Sequence, residues 1–446
     1  MQLTHQKFFT TSLPFILASI SVPLTGAGYP AVVGRLGNYH FINSVALGSV
    51  IFSTIFWLFN FLGLTASGFA SQSLGRNDPE EELYAFLRGT LLATGIGLVI
   101  VILQKFIFDA AVYFFNPPQQ TLLYMRQYFN IIIFTVPCAL FYQTAQGWLA
   151  GIMQVKLSVA VGLTANIANV VLAFILVYGF SLGVAGVAAA AAIANILACL
   201  LALYGFFKHK PCSLRIINPS RLFHGPDFAK LLNCSGHLAI RTLCMLIMIN
   251  TFMSQSSAFG GEILAANSIL MQIQYVMGDV FAGFSQAAAI YAGIAAGERN
   301  SALLNATLKI SAIQSMAAAL AQSVIYYLYR SDIIAVFTRQ QEILNTACRY
   351  DLFIAVFPLL SALGIVYYGI FNGTLQTTPI CISMLLTAAA YLTAKTTLVP
   401  SLANNGLWLA FLVFYVARTG FLLMFVPSFI KNFIKTNKNV DNNTKL

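Results

Sequence analysis

The sequence predicts an all-α membrane protein of twelve transmembrane helices in two pseudo-symmetric six-helix bundles. Three observations predict it. Of 446 residues, 59% are hydrophobic and 8% charged, whereas soluble domains carry about 25% charged residues, so the apolar surface cannot be buried in one water-soluble core. Apolar segments of about 20 residues, the length that crosses a hydrocarbon layer roughly 30 Å thick as a helix, recur from end to end. The two halves of the chain also resemble each other at an offset of about 222 residues.

The spans are expected near 13–36, 43–70, 86–108, 124–149, 156–179, 183–207, 231–256, 263–290, 306–328, 347–371, 376–400 and 405–430. The first is too long for a cleaved secretory signal and lacks a small-residue cleavage site, so it reads as a retained span. An even number of spans puts both termini on one side, where the connections and tail carry fifteen Lys and Arg against six opposite. That excess predicts cytoplasmic termini in a cell (inner, cytoplasmic) membrane. The longest polar connection, KHKPCSLRIINPSRLFHGPDFAK, divides the chain into an N-terminal lobe at 1–207, a cytoplasmic linker at 208–230, a C-terminal lobe at 231–430 and a cytoplasmic tail at 431–446. GWLAGIMQ (147–154) answers GIFNGTLQ (369–376), and FASQSLGRN (69–77) answers YAGIAAGERN (291–300). Six spans per half make these parallel repeats about an axis along the membrane normal, with a solute path expected between the lobes.

Several function classes are excluded or disfavoured. Seven cysteines form no CxxC pair and lie mostly in spans, so neither a disulfide nor a metal site is expected. The net charge of +11 resides mainly in short loops and the tail, where topology rather than nucleic acid accounts for it. SQSLGRNDPEEEL (71–83) and GERN (297–300) do not match a phosphate-binding loop and follow membrane spans, so no ATP drive is expected. The five histidines join no His/Asp/Glu cluster at helical spacing, and no enzymatic role is expected.

Charged residues inside spans cost a few kcal/mol and usually mark function. Four stand out: Arg241, Asp279, Lys395 and Arg418, all in the C-terminal lobe. Asp279 either bridges to one of the three cations or serves as a titrating coupling group. Three positive charges against one negative favour an anionic or zwitterionic solute, unless Lys395 snorkels to an interface. His237, four residues before Arg241, is a candidate proton carrier. Asn166, Asn169 and Asn195 either glue helices together or line a cavity. In the first span, VPLTGAGYPAVVGRLG carries Pro23, Gly26, Gly28 and Pro30, which remove or loosen backbone hydrogen bonds. This stretch reads as a bending element facing protein or water rather than lipid.

The stretches VPLTGAGYPAVVGRLG, TASGFASQSLGRND (65–78), GWLAGIMQ, NIANVVLAF (166–174), LGVAGVAAAAAIAN (182–195), ANSILMQI (266–273), GIAAGERN (293–300) and GLWLAFLVFYVARTG (406–420) together resemble the multidrug and toxic compound extrusion (MATE) transporters, most closely their DinF-like branch. The resemblance covers nearly the whole chain in order. It implies two six-helix bundles forming a V-shaped central cavity, a first helix that bends during transport, and export of amphiphilic, often cationic compounds driven by inward H+ or Na+. It also implies a departure. The family typically has an aspartate where this chain has Tyr29, and its other intramembrane carboxylates correspond to Ala173, Asn195, Ala282, Ala289 and Tyr368. Arg241 and Arg418 fall where the DinF-like branch also carries arginine. Tyr29 and Tyr368 either contact substrate or pack where a carboxylate would stand.

The expected function is therefore secondary active efflux of small amphiphilic or toxic organic compounds by H+ or Na+ antiport with alternating access between the lobes. The alternatives are a flippase of lipid-linked or anionic substrates and an uncoupled membrane scaffold derived from a transporter. No cofactor is expected beyond the coupling ion. The expected partners are a small-molecule substrate and membrane lipid, with the chain a monomer and nucleic acid excluded.

Overall fold

Lipid offers no hydrogen bonds to an exposed backbone, and the chain answers that constraint with helices almost throughout. The computed structural model describes residues 2–33, 39–210 and 218–443, with side chains at 2–19, 39–210 and 218–435. In chain order the helices are α1 (His5–Val33), α2 (Tyr39–Leu58), α3 (Phe61–Arg76), α4 (Pro79–Ile102), α5 (Gln104–Phe115), α6 (Gln119–Ile132), α7 (Val136–Gly151), α8 (Val155–Phe174), α9 (Gly183–His209), α10 (Pro219–Leu222), α11 (Gly225–Ala258), α12 (Gly261–Gly297), α13 (Ser301–Phe337), α14 (Gln341–Cys348), α15 (Asp351–Gly373), α16 (Thr377–Met424) and α17 (Val426–Asn443). There is no strand among the described residues. Ten stretches among them are long and apolar enough to cross a membrane. The last of these holds two crossings, because α16 turns sharply at Ala403, and α1 completes the twelve.

The turn in α16 has local causes. Pro400 has no N–H to give to the ladder, Ala403 adopts φ 49° and ψ −126°, and a Cβ on Gly406 would stand 2.5 Å from the Leu398 carbonyl carbon. A buried polar knot holds it. Asn267 of α12 donates to Asn404 Oδ1 at 2.7 Å and to Ser256 Oγ at 2.8 Å, while its own Oδ1 accepts from Asn404 at 3.1 Å and from Trp408 Nε1 at 2.9 Å.

The chain divides into two compact units, residues 17–235 and residues 1–16 with 236–446. Residues 1–16 thus group with the C-terminal half. Within that unit Phe8 is fully buried and stacks on Phe284 at 6.3 Å, Thr11 and Tyr291 share a hydrogen bond of 2.8 Å, and Gln314 Nε2 donates to the His5 carbonyl at 2.7 Å.

In the 17–235 unit, the linker segment is fastened to the start of α4 by Arg88, which is 3% exposed. Its guanidinium donates to Glu81 at 2.7 Å, to Asp227 at 3.1 Å, and to the carbonyls of Arg221 and Leu222 at 2.9 and 3.2 Å. Arg221 pairs with Glu80, and Tyr84 accepts from the Asn218 amide at 2.9 Å.

The internal repeat is written in backbone geometry as well as in sequence. In α7 the turn after Gly151 places Met153 at φ 63° and bonds Gln154 N to Leu149 O at 2.9 Å; after α15 Leu375 sits at φ 56° and Gln376 N bonds Phe371 O at 2.9 Å. Asn77 and Arg299 adopt φ 53° and 54°. The next residue in each case, Asp78 or Asn300, caps its helix by accepting from Glu81 N or Leu303 N at 2.9 Å. Tight packing is repeated too. Gly147 and Gly151 of α7 lie against Gly63 and Ser67 of α3, and Gly369 and Gly373 of α15 lie against Ser285 and Ala289 of α12, every pair separated by the same offset.

A Cβ on Gly373 would fall 2.7 Å from the Ala289 carbonyl carbon, and one on Gly151 would fall 2.7 Å from the Ala70 Cβ. Gly151→Val and Gly373→Val are each expected to cost about 1–3 kcal/mol through overpacking, read as a lowered unfolding temperature of the purified chain in detergent. Gly236→Ala, with open space around it, is expected to be neutral or to gain up to about 1 kcal/mol in helix propensity. Equal unfolding temperatures for all three would contradict this packing.

Candidate functional site

The unit formed by residues 1–16 and 236–446 contains the four intramembrane charges singled out in the sequence. Arg241 lies on α11, Asp279 on α12, and Lys395 and Arg418 on the two arms of α16. Arg418 is 6% exposed, yet it makes no hydrogen bond or ion pair among the described residues. It lies within electrostatic reach of Arg241, Tyr368 and Tyr415. Arg241 places its guanidinium over the Tyr368 ring, 4.3 Å from the centroid, and its buried Nε has no acceptor. Such a cation–π contact is worth about 0.5–2 kcal/mol. The buried Tyr368 hydroxyl also lacks a partner.

Two residues that the sequence reading did not single out complete this cluster. Gln274 of α12, 4% exposed, donates to the Tyr415 hydroxyl at 3.2 Å and keeps its own Oε1 buried and unpartnered. Tyr415 precedes Arg418 by three residues, which puts both on one helix face. That spacing was the available signal for Tyr415. For Gln274 it was one of three amides, with Asn267 and Gln272, in the run ANSILMQIQY.

The bridge considered for Asp279 is not formed. Asp279 is half-buried and makes no ion pair with Arg241, Lys395 or Arg418. Lys395 instead donates from Nζ to the Thr251 carbonyl at 3.3 Å, so its charge rests on a backbone oxygen. The Nδ1 of His237 lies 2.9 Å from Thr377 Oγ1, at the first turn of α16.

The remaining candidates belong to residues 17–235. Asn166 and Asn169 lie on α8, half-buried, and Asn195 on the neighbouring α9 donates to Thr135 Oγ1 at 3.1 Å. That bond is helix glue of the kind expected for spans. α8 runs into a π-helical turn at Ile175–Gly179. Pro23, Gly26, Gly28, Tyr29 and Pro30 fall within α1, and their side chains lie outside the described residues.

The family model described as MatE matches residues 14–175 and 238–394, one block in each half of the chain. The chain belongs to the MatE family. DNA damage-inducible protein F of Escherichia coli is 30% identical over 410 residues, covering 91% of this chain and 88% of that one. Among solved structures, an outward-facing multidrug resistance MATE family transporter of the MOP superfamily superposes with a TM-score of 0.87 at 19% identity, covering 97% of each chain. A MOP superfamily transporter from Pyrococcus furiosus, whose binding pocket is described as reversed in polarity, superposes with a TM-score of 0.86 at 18% identity over 96% of each chain. These structures establish the MATE fold. This MatE protein is accordingly a multi-pass membrane protein of a transporter family, with multidrug exporters among its relatives, and not a member of an enzyme family.

Because Asp279 holds no ion pair among the described residues, Asp279→Asn is expected to change the stability of this MatE protein by less than about 1 kcal/mol, against about 3–5 kcal/mol for breaking a buried bridge. Thermal unfolding of the two purified proteins in one detergent decides between these values.

Proposed function

We propose that this MatE protein is a secondary active exporter of small amphiphilic or toxic organic compounds. It works by alternating access against an inward gradient of H+ or Na+, as a monomer in the inner membrane with both termini in the cytoplasm. One observation carries the coupling part of this reading. Asp279 is a carboxylate in the interior of a membrane-spanning helix that spends none of its charge on the three intramembrane cations, which leaves it able to exchange a proton or a sodium ion. His237, bonded to Thr377, is the alternative proton carrier.

A second reading, a flippase of lipid-linked substrates, is favoured by the two arginines, which pair with no acid among the described residues. The reversed pocket polarity described for the Pyrococcus furiosus transporter is in keeping with it.

The test is flux in proteoliposomes of the full chain, with a pH gradient and a Na+ gradient imposed separately and one fluorescent cation and one fluorescent anion as cargo. Uphill movement under either gradient is expected, with Asp279→Asn abolishing it while leaving equilibrium binding of the cargo intact. Undiminished uphill flux in Asp279→Asn removes Asp279 from coupling. No uphill flux under either gradient leaves a flippase or, if nothing moves downhill either, an uncoupled scaffold.

A further inference from the structure

Arginine brings five N–H donors in a planar fork and no acceptor, and it keeps its charge in any ordinary protein environment. Inside a membrane such a group normally pairs with an acid or with backbone carbonyls. Lys395 follows that rule through the Thr251 carbonyl. Arg241 and Arg418 do not. Arg418 gives none of its donors to an acceptor among the described residues, and Arg241 offers only its π-facing surface, to Tyr368. Two like charges held near each other without an acid between them repel, and burial strengthens the repulsion. The polar atoms around them are equally unspent. Among the described residues the buried Tyr368 hydroxyl has no partner, and Tyr415, whose oxygen already accepts from Gln274, keeps its hydroxyl proton to donate.

We propose that Arg241 and Arg418 form the binding site for an oxyanion, a carboxylate, sulfonate or phosphate group of the exported compound, with the Tyr368 and Tyr415 hydroxyls as further donors and Gln274 holding Tyr415 in place. The inference deepens the transport reading by naming the charge class of its cargo, and it does not depend on which ion drives export. An oxyanion between two guanidinium groups receives charge-assisted, bidentate hydrogen bonds and offsets the repulsion between them. Tyr368 positions the Arg241 guanidinium through the cation–π contact, and its neighbour Gly369 packs closely on Ser285. A lipophilic cation meets the opposite field here, which makes this cluster a filter for charge as well as a handle.

The experiment is equilibrium binding to the full chain in phosphatidylcholine nanodiscs, using a radiolabelled naphthalene sulfonate, its uncharged sulfonamide and its trimethylammonium counterpart. The sulfonate is expected to bind at least tenfold more tightly than either analogue. Arg241→Gln and Arg418→Gln are each expected to lose about tenfold or more, Arg418→Lys to keep part of the affinity, and Tyr368→Phe to lose severalfold. Displacement by phosphatidic acid placed in the nanodisc assigns the site to a lipid headgroup, and displacement by inorganic phosphate assigns it to soluble anions. Equal binding of the three naphthalene compounds, or tighter binding of the cation, overturns the proposal on the unaltered protein even if the glutamine variants do not fold. Unchanged sulfonate affinity in a folded Arg418→Gln variant overturns it as well. Because no gradient is applied, loss of coupled flux and loss of this site are separate results.

Discussion

Helices in lipid gain nothing from hiding apolar surface from one another, since the surrounding tails are equally apolar, so their association rests on close backbone approach. Here that approach occurs at small residues: Gly147 and Gly151 of α7 on α3, and Gly369 and Gly373 of α15 on α12. The rest of the C-terminal arrangement hangs on the second pair. It sets the distance between α12 and α15, so it fixes where Gln274 and Tyr368 stand, and the Tyr368 ring in turn carries Arg241. A chain of contacts thus leads from two missing side chains to the orientation of a charge.

Much of this was legible in the sequence. Span lengths follow from bilayer thickness, and the repeat was visible in its glycines and glutamines because those residues do the same steric work in both halves. The expected break between 400 and 405 coincides with Ala403, where Pro400 and Gly406 leave the helix little choice. Other features were not readable. Nothing local in residues 1–16 says that Phe8 will stack on Phe284 rather than stay with the helices that follow it in sequence. The pairing of Asp279 depended on the rotational phase of α12 against α11 and α16, which a one-dimensional string does not hold. Arg241 and Tyr368 were each singled out, but separately, because their contact joins positions far apart in the chain.

The charge inventory of the spans also divides in a way composition could not show. Three cations against one acid gave a positive excess in the sequence and left open whether the acid bridges to one of them. In the folded unit Lys395 is accommodated by a carbonyl, and among the described residues neither Asp279 nor the two arginines form an ion pair. The acid and the arginines are therefore separate chemical resources, one suited to exchanging a small cation and the other to holding an anion.

The polar connection after residue 207 reads in the sequence as a linker between lobes, and the anchoring of residues 218–227 at Arg88 adds to that character. Segment 218–227 is bolted to α4 through both carboxylates and carbonyls, and α11 begins at Gly225 and runs unbroken to Ala258. The connection is a bracket, so a change at position 88 is felt as a change in how segment 218–227 is mounted on α4.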